Sequence, residues 1–328
     1  MTNFYTSLPK PFFVLAPLDD VTDTVFRRVV ASCASPDLFF TELVNVDGLM
    51  SPGRPKLLKK LRFTPAEQPL IAQIWGLKPE NFRAVAEQIA DGNLARALGL
   101  PEGVNFAGID LNMGCPEKTV VNHGACSGLI NNPDLATEII KATQAGAAGR
   151  LPVSVKTRIG FNDVKLEWFE TLLAQNLDML TVHGRTRKEM SKVPAHWDVI
   201  GQVRELRDRL APQTLIVGNG DVMSRAQGME LAKTYQLDGI MVGRGVFHDP
   251  FVFSSDSPWE RYTEEQRVAL YRKHVQLFAD TWHNNERPIH TLNKFCKIYI
   301  NNFDGAKELR ERLMAATSAN ELLELLEG

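Results

Sequence analysis

Cysteine is scarce in this chain and none of it is paired. Four cysteines, Cys33, Cys115, Cys126 and Cys296, are scattered through 328 residues with no C-x-x-C spacing. Neither a zinc site nor a disulfide framework is suggested, and no metal is expected. Long apolar runs are missing too: none approaches the ~18 residues that a membrane span needs. The N-terminal "MTNFYTSLPK" lacks the apolar core of a secretory leader. The expected location is therefore the cytoplasm, with no membrane contact. Nor is there an excess of one charge, since 37 Lys+Arg face 39 Asp+Glu for a net charge of -2. That balance argues against a nonspecific nucleic-acid coat, though not against a local basic patch. Finally, "VLAPLDDVTD" lacks the G-x-G-x-x-G fingerprint that a dinucleotide-binding sheet carries after its first strand.

What is present is a repeated alternation. Short apolar runs occur at 12–17, 38–43, 70–76, 108–114, 153–160, 179–185, 215–221 and 239–245, eight in all. They are near-continuous rather than alternating, as strands covered on both faces should be. Segments such as "ENFRAVAEQIADGNLARAL" and "DLATEIIKATQAG" between them keep apolar residues at helical spacing. Eight strand–helix units permit a doubly wound sheet or a closed barrel. The length, ~250 residues for a barrel, and the missing fingerprint favour a (β/α)8 TIM barrel. From about Pro258 the pattern becomes purely helical. The expected organisation is a barrel over 1–255 and a small C-terminal helical domain over 256–328.

Active sites of such barrels lie at the carboxyl ends of the strands. Polar residues collect there: Gln73, Asn112, Cys115, Lys156, Arg158, His183, Arg185, Asn219, Asp221 and Arg244. The glycines of "GNGD" and "VGRG" (Gly220 and Gly243 among them) let backbone approach a ligand closely, and Arg244 adds a charged fork. Together they suggest a phosphate site after the seventh and eighth strands. Lys156 would hold negative charge on a reduced ring and its side chain. A phosphate with a planar redox ring suggests flavin mononucleotide, although spacing alone does not name it.

The motifs "LAPL", "QIWG", "IDLNMGCPEKTV", "VSVKTRIG", "VHGRT", "GNGD" and "VGRG" stand in the order seen in tRNA-dihydrouridine synthases. The chain resembles that family from about Phe12 to Phe303. The resemblance implies an FMN-binding barrel with a C-terminal helical domain that uses NADPH (or NADH) to reduce the uridine C5–C6 double bond in tRNA. It implies Cys115 as proton donor. It places Ala16, Pro17 and Leu18 along the flavin and Gln73 on its ring. Lys156 and His183 would also contact FMN, and Asn219, Gly220, Asp221, Gly243 and Arg244 would hold its phosphate end. Asn112 and Arg158 would face the uracil, with Arg185 also on the substrate side. "CPEKTV" looks most like the subgroup that modifies uridine 16. The chain departs from the family pattern at Leu18, usually methionine, and at Ser191, usually tyrosine.

A thiol suits the donor role, because with an ordinary pKa of ~8.5 it keeps its proton at neutral pH while carboxylates do not. Cys33, Cys126 and Cys296 read as packing residues. His123, His196, His248, His274, His283 and His290 show no ligand spacing. "RPKLLKKLRF" and "GRTRKEMSK" are basic loops on the expected active face, where a phosphate backbone would arrive. In "LYRKH" and "NKFCKIY" basic and aromatic residues interleave, a pattern also seen on single-stranded nucleic-acid binders. No protein partner is called for. The alternatives are an FMN-dependent small-molecule reductase of the dihydroorotate dehydrogenase type, which needs no basic loops, and a catalytically silent RNA-binding protein.

Overall fold

The computed structural model of the protein describes residues 4–284 and 286–327. Its strands are β1 (Phe12–Leu15), β2 (Phe39–Phe40), β3 (Val44–Asn45), β4 (Leu70–Trp75), β5 (Gly108–Met113), β6 (Val153–Arg158), β7 (Met179–His183), β8 (Leu215–Asn219) and β9 (Gly239–Val242). All pair in parallel in the order β1-β9-β8-β7-β6-β5-β4-β2, with β3 also on β4. A parallel bridge between Val14 and Leu38 joins β1 to the β2 side and closes the ring. This is the expected eight-position TIM barrel.

The second position is broken. β2 and β3 both pair with β4, Phe39 opposite Leu70 and Val44 opposite Ile74. One more residue separates the pair on the first strand than on the second. The extra residue falls in Thr41–Leu43, where polar Thr41 and Glu42 interrupt the run. Thr41 Oγ1 accepts from the Gln73 nitrogen at 3.0 Å and repairs the ladder across the break.

Strands that look uniformly apolar nonetheless face two ways, because side chains alternate with period two. Phe12, Val14, Leu38, Phe40, Ile71, Met179, Leu215, Val217 and Met241 fill the barrel interior, and Tyr5 closes its lower end. Their neighbours Phe13, Leu15, Ile109, Leu111, Val155, Leu180, Val182 and Ile240 face outward to the helices. Toward the carboxyl ends the inward series turns polar: Asp110 then Asn112, Ser154 then Lys156 and Arg158, Thr181 then His183, and Asn219. The interior is thus a hydrophobic plug with a polar upper storey.

Helices Thr24–Ala34, Pro79–Ala90, Pro133–Ala147, Leu166–Leu173, Trp197–Leu210 and Arg225–Tyr235 surround the strands. Their starts follow local chemistry. Asp23, Asn132 and Ser224 accept from the first-turn nitrogens of their helices, and prolines open Pro79–Ala90 and Pro133–Ala147. Arg27, fully buried, binds Glu67 at 2.7 Å, and Thr24 Oγ1 donates to the same carboxylate at 2.6 Å.

The C-terminal segment folds as Glu264–Thr281, Asn293–Tyr299, Ala306–Ala315 and Ala319–Leu325. It continues the outer core. Phe26 stacks on Phe295 with ring centroids 4.9 Å apart. Trp282 Nε1 donates to Asp23 at 3.1 Å, and Arg287 donates to Glu42 at 2.5 Å. Tyr271, Phe295 and Tyr299 are buried in this contact, so the aromatic residues of "LYRKH" and "NKFCKIY" pack the helices rather than offering faces to nucleic-acid bases. No helix is long and apolar enough to cross a membrane among the described residues.

Candidate active site

A cleft of about 500 Å³ opens at the carboxyl ends of the strands. That lies within the ~300–1,000 Å³ range of small-molecule and cofactor sites. Ala16, Pro17 and Leu18 reach it from β1, Asn112 and Cys115 from β5, Lys156 and Arg158 from β6, and His183 and Arg185 from β7. Asn219, Gly220 and Asp221 line it after β8, and Gly243 and Arg244 after β9. Of the residues singled out in the sequence, Gln73 alone lies beneath the cleft rather than on its wall. Its amide is fully buried, donating to Asp110 Oδ2 at 2.8 Å and accepting from Asn112 Nδ2 at 2.9 Å.

Four cationic side chains, Lys156, Arg158, Arg185 and Arg244, line the cleft against two carboxylates, Asp19 and Asp221. The charges crowd one another. Burial and the nearby Arg158 lower Lys156 to about 8, although Asp110 opposes the shift. Burial, with Arg158 and Lys156 beside it, holds His183 well below the ordinary imidazole value, so the ring is neutral. His183 Nδ1 is buried with no hydrogen-bond partner in the structure. An unpaired buried polar atom costs ~1–3 kcal/mol, and a polar ligand in the cleft would relieve it.

The loops are braced from within. Arg158 Nε donates to the Gly114 carbonyl at 2.8 Å and Nη1 to the Thr186 carbonyl at 3.1 Å, tying the β5 and β7 loops together. Arg185 donates to the Val193 carbonyl at 2.5 Å and pairs with Asp221. Arg244 pairs with the other oxygen of Asp221 at 3.0 Å. The Asp221 carboxylate therefore orients two arginines, and only its backbone is left for an anion. Gly220 has φ +138, and a side chain there would meet the Ala195 Cβ at 2.6 Å. Gly243 differs: a Cβ would meet only Ala16, at 3.8 Å, and would occupy open cleft.

Cys115 stands half-buried at the end of β5. Its nitrogen donates to Asn112 Oδ1 at 2.9 Å, and its carbonyl accepts from Ser127 Oγ at 2.9 Å. Its thiol is lowered to about 7, chiefly by a hydrogen bond from Cys126, which outweighs burial; the Glu117 backbone also contributes. Cys126 is itself pushed well above the ordinary thiol value by that contact and by burial. The thiol thus lies below the ordinary value expected from the sequence, and Cys126, buried as expected, also acts on it.

Several lining residues escaped the sequence reading. Asp19, Met190, Met223 and His248 border the cleft, and so does Ser191. Met190 and Met223 are exposed apolar groups at its rim. Only proximity to "LAPL", "VHGRT", "GNGD" and "VGRG" could have flagged them. The basic stretch 54–63 is less free than its sequence implies. Lys60 pairs with Asp19 at 2.5 Å, Lys59 donates to the Glu286 carbonyl at 3.0 Å and Arg62 pairs with Glu286 at 2.9 Å. Lys56, Lys188 and Lys192 remain exposed. Asp19, Asp20 and Glu42 cluster closely enough to suggest a cation site, yet Lys60 and Arg287 already neutralise them.

The donor set fits a flavin. Lys156 and the orphaned His183 nitrogen suit an electron-rich ring, the Gly243 hollow gives room, and Arg244 with the Gly220 turn suits a phosphate.

The chain is also similar to known proteins. The model of the family described as "Dihydrouridine synthase (Dus)" matches residues 14–327. A "Probable tRNA-dihydrouridine synthase" of Staphylococcus aureus (strain COL) is 45% identical over 99% of this chain and 95% of its own length. A "Probable tRNA-dihydrouridine synthase 2" of Bacillus subtilis (strain 168) is 44% identical over 99% and 96%. Among solved structures, histamine dehydrogenase from Rhizobium sp. 4-9 shares the fold with a TM-score of 0.52 and 13% identity, covering 96% of this chain and 61% of that one. A match spanning nearly all of the barrel and the helical segment, with relatives this similar end to end, makes the chain a member of the dihydrouridine synthase family.

Proposed function

We propose that the protein is a tRNA-dihydrouridine synthase. It reduces the C5–C6 double bond of a D-loop uridine, with FMN as bound cofactor and NADPH, or NADH, as reductant. The reading is supported above all by one juxtaposition: a half-buried thiol, Cys115, on the wall of a cleft that also carries Lys156 and the neutral, unpartnered His183.

When bound, FMN supplies the hydride for C6 of the pyrimidine. The remaining work belongs to the chain. Lys156 and His183 hold the cofactor ring, with Ala16, Pro17 and Leu18 along it, and Asn219, Gly220, Asp221, Gly243 and Arg244 form its phosphate end. Gln73 acts from below, through Asn112. Asn112 and Arg158 orient the uracil, with Arg185 behind them. Cys115 delivers a proton to C5 from its sulfur, and a proton donor must stand within reach of the receiving atom with its hydrogen still on. A thiol near 7 is about half protonated at neutral pH, so the donor is available there and is lost as pH rises.

The tRNA would arrive across the β7 loop, where Lys188 and Lys192 are exposed beside cleft-lining Met190 and Ser191. A small-molecule reductase would have no use for those charges. The deciding experiment supplies the purified protein with FMN, NADPH and unmodified tRNA, or with free uracil or orotate, and measures dihydrouridine by mass spectrometry. Turnover on tRNA alone is expected. Turnover on the free bases with none on tRNA would sink the proposal. Mapping dihydrouridine in tRNA of a deletion strain then locates the position, for which uridine 16 is the expectation.

A further inference from the structure

We propose that Asp110, which lies outside the cleft, is a positioning residue that orients Cys115 through a relay of buried amides. This rests on the assignment of Cys115 as proton donor.

The relay has a single polarity, and donor chemistry fixes it. The backbone nitrogens of Gly114 and Cys115 can only donate, and both point at Asn112 Oδ1, at 3.1 and 2.9 Å. The amide nitrogen of Asn112 must therefore face Gln73, whose Oε1 accepts it at 2.9 Å. The Gln73 nitrogen is then turned to Asp110 Oδ2, at 2.8 Å. The other Asp110 oxygen accepts from Ser154 Oγ at 2.6 Å. Each link has only one arrangement in which every donor meets an acceptor.

The strand register builds this row. Gln73 lies opposite Asp110, and Asp110 opposite Ser154, on the inward faces of β4, β5 and β6. Gln73, Asp110 and Ser154 are fully buried. Water is thus poorly placed to replace a missing acceptor. Asp110 also sits on the same strand as Asn112, two residues lower, so relay and catalytic loop are one rigid piece.

For the relay, position 110 must supply an acceptor facing Gln73; its charge acts separately, on Lys156. A group that cannot accept leaves the Gln73 nitrogen without a partner. Turning that amide over would set two nitrogens against each other at Asn112, and turning Asn112 in response would release the Cys115 backbone. Asparagine at 110 keeps the acceptor, because its nitrogen can donate to the Ser154 hydroxyl. Leucine, similar in size, does not.

The test compares Asp110→Asn and Asp110→Leu in the flavin-loaded enzyme. It measures tRNA turnover and the rate at which iodoacetamide alkylates Cys115, resolved on the Cys115 peptide by mass spectrometry. Asp110→Leu is expected to lower kcat roughly 10–100-fold, the scale of a slight misplacement of a reacting group, with KM for tRNA unchanged. It should also change the Cys115 alkylation rate several-fold. Asp110→Asn should restore both. Wild-type behaviour of Asp110→Leu overturns the proposal, and so does an Asp110→Asn variant as impaired as Asp110→Leu. If Asp110→Leu folds poorly, Gln73→Met breaks the same relay from β4 and must reproduce its effect on Cys115 alkylation; failure to do so also overturns it. Alkylation reads the loop without needing catalysis. An altered alkylation rate, beside full tRNA reduction by Cys115→Ala, would keep the relay and reject the donor role.

Discussion

The thiol of Cys126 donates to the sulfur of Cys115, across a turn in which Cys126 holds the left-handed φ of +51. A non-glycine residue in that conformation is uncommon and points to a local constraint. Here the constraint brings a fully buried second sulfur to the first. Removing the donor should release Cys115 toward the ordinary thiol range. In Cys126→Ala, alkylation of Cys115 at pH 7 is expected to slow, with the midpoint of its pH profile moving above about 7. The alkaline fall in tRNA turnover should move up with it. An unmoved midpoint would show that Cys126 has no hold on the thiolate.

Lys156 ties flavin affinity to pH. Its ammonium is lowered to about 8 by burial and by Arg158, so charge is lost as pH rises past that value. Flavin affinity should then fall between pH 7 and 9, as measured by fluorescence titration of the apoprotein with FMN. Lys156→Met should bind roughly 10–100-fold more weakly at pH 7, the equivalent of one lost charge-assisted hydrogen bond, and should lose the pH dependence.

Exposed charge beside the cleft lies on the β7 loop, at Lys188 and Lys192. Lys188→Glu and Lys192→Glu should each weaken tRNA binding and lower the slope of log affinity against log salt by about one, if each lysine neutralises one phosphate. Flavin content should not change. Reversal of Lys60 is a poorer probe, because it also breaks the pair with Asp19 at 2.5 Å.

Arg27 and Glu67 test the frame instead of the site. Both side chains are fully buried, and Glu67 also receives Thr24 Oγ1 and the Thr64 nitrogen. Arg27→Ala leaves that carboxylate uncompensated and should cost about 3–5 kcal/mol, read from urea unfolding. A change below 1 kcal/mol would mean that the carboxylate is neutralised or hydrated some other way.

The barrel was legible in the sequence because strands covered on both faces advertise themselves as apolar runs, and because the polar interruptions fall at their carboxyl ends. Cleft residues from Asn112 to Arg244 could be named for that reason, whereas Ala16, Pro17 and Leu18 were named only through the family resemblance. The break between β2 and β3 was not legible, since Thr41 and Glu42 look like ordinary polar residues until their partners Gln73 and Arg287 are in view. Gln73 illustrates the same limit: a polar residue inside a strand signals a partner without saying which. Position 126 gave no signal at all, because hydrogen bonding between residues 11 apart depends on how the loop turns. The aromatic residues of the C-terminal helices were misleading. Tyr271, Phe295 and Tyr299 have the spacing of a binding face and the burial of a core.

The most direct measurement separates the two half-reactions of Cys115→Ala by stopped-flow absorbance of the flavin. Reduction by NADPH should proceed at the wild-type rate, because no proton from Cys115 is needed there. Reoxidation by tRNA should collapse, roughly 100–10,000-fold for loss of a general acid. Wild-type reoxidation by tRNA in that variant, with dihydrouridine as product, would contradict the assignment of the thiol as the source of the proton.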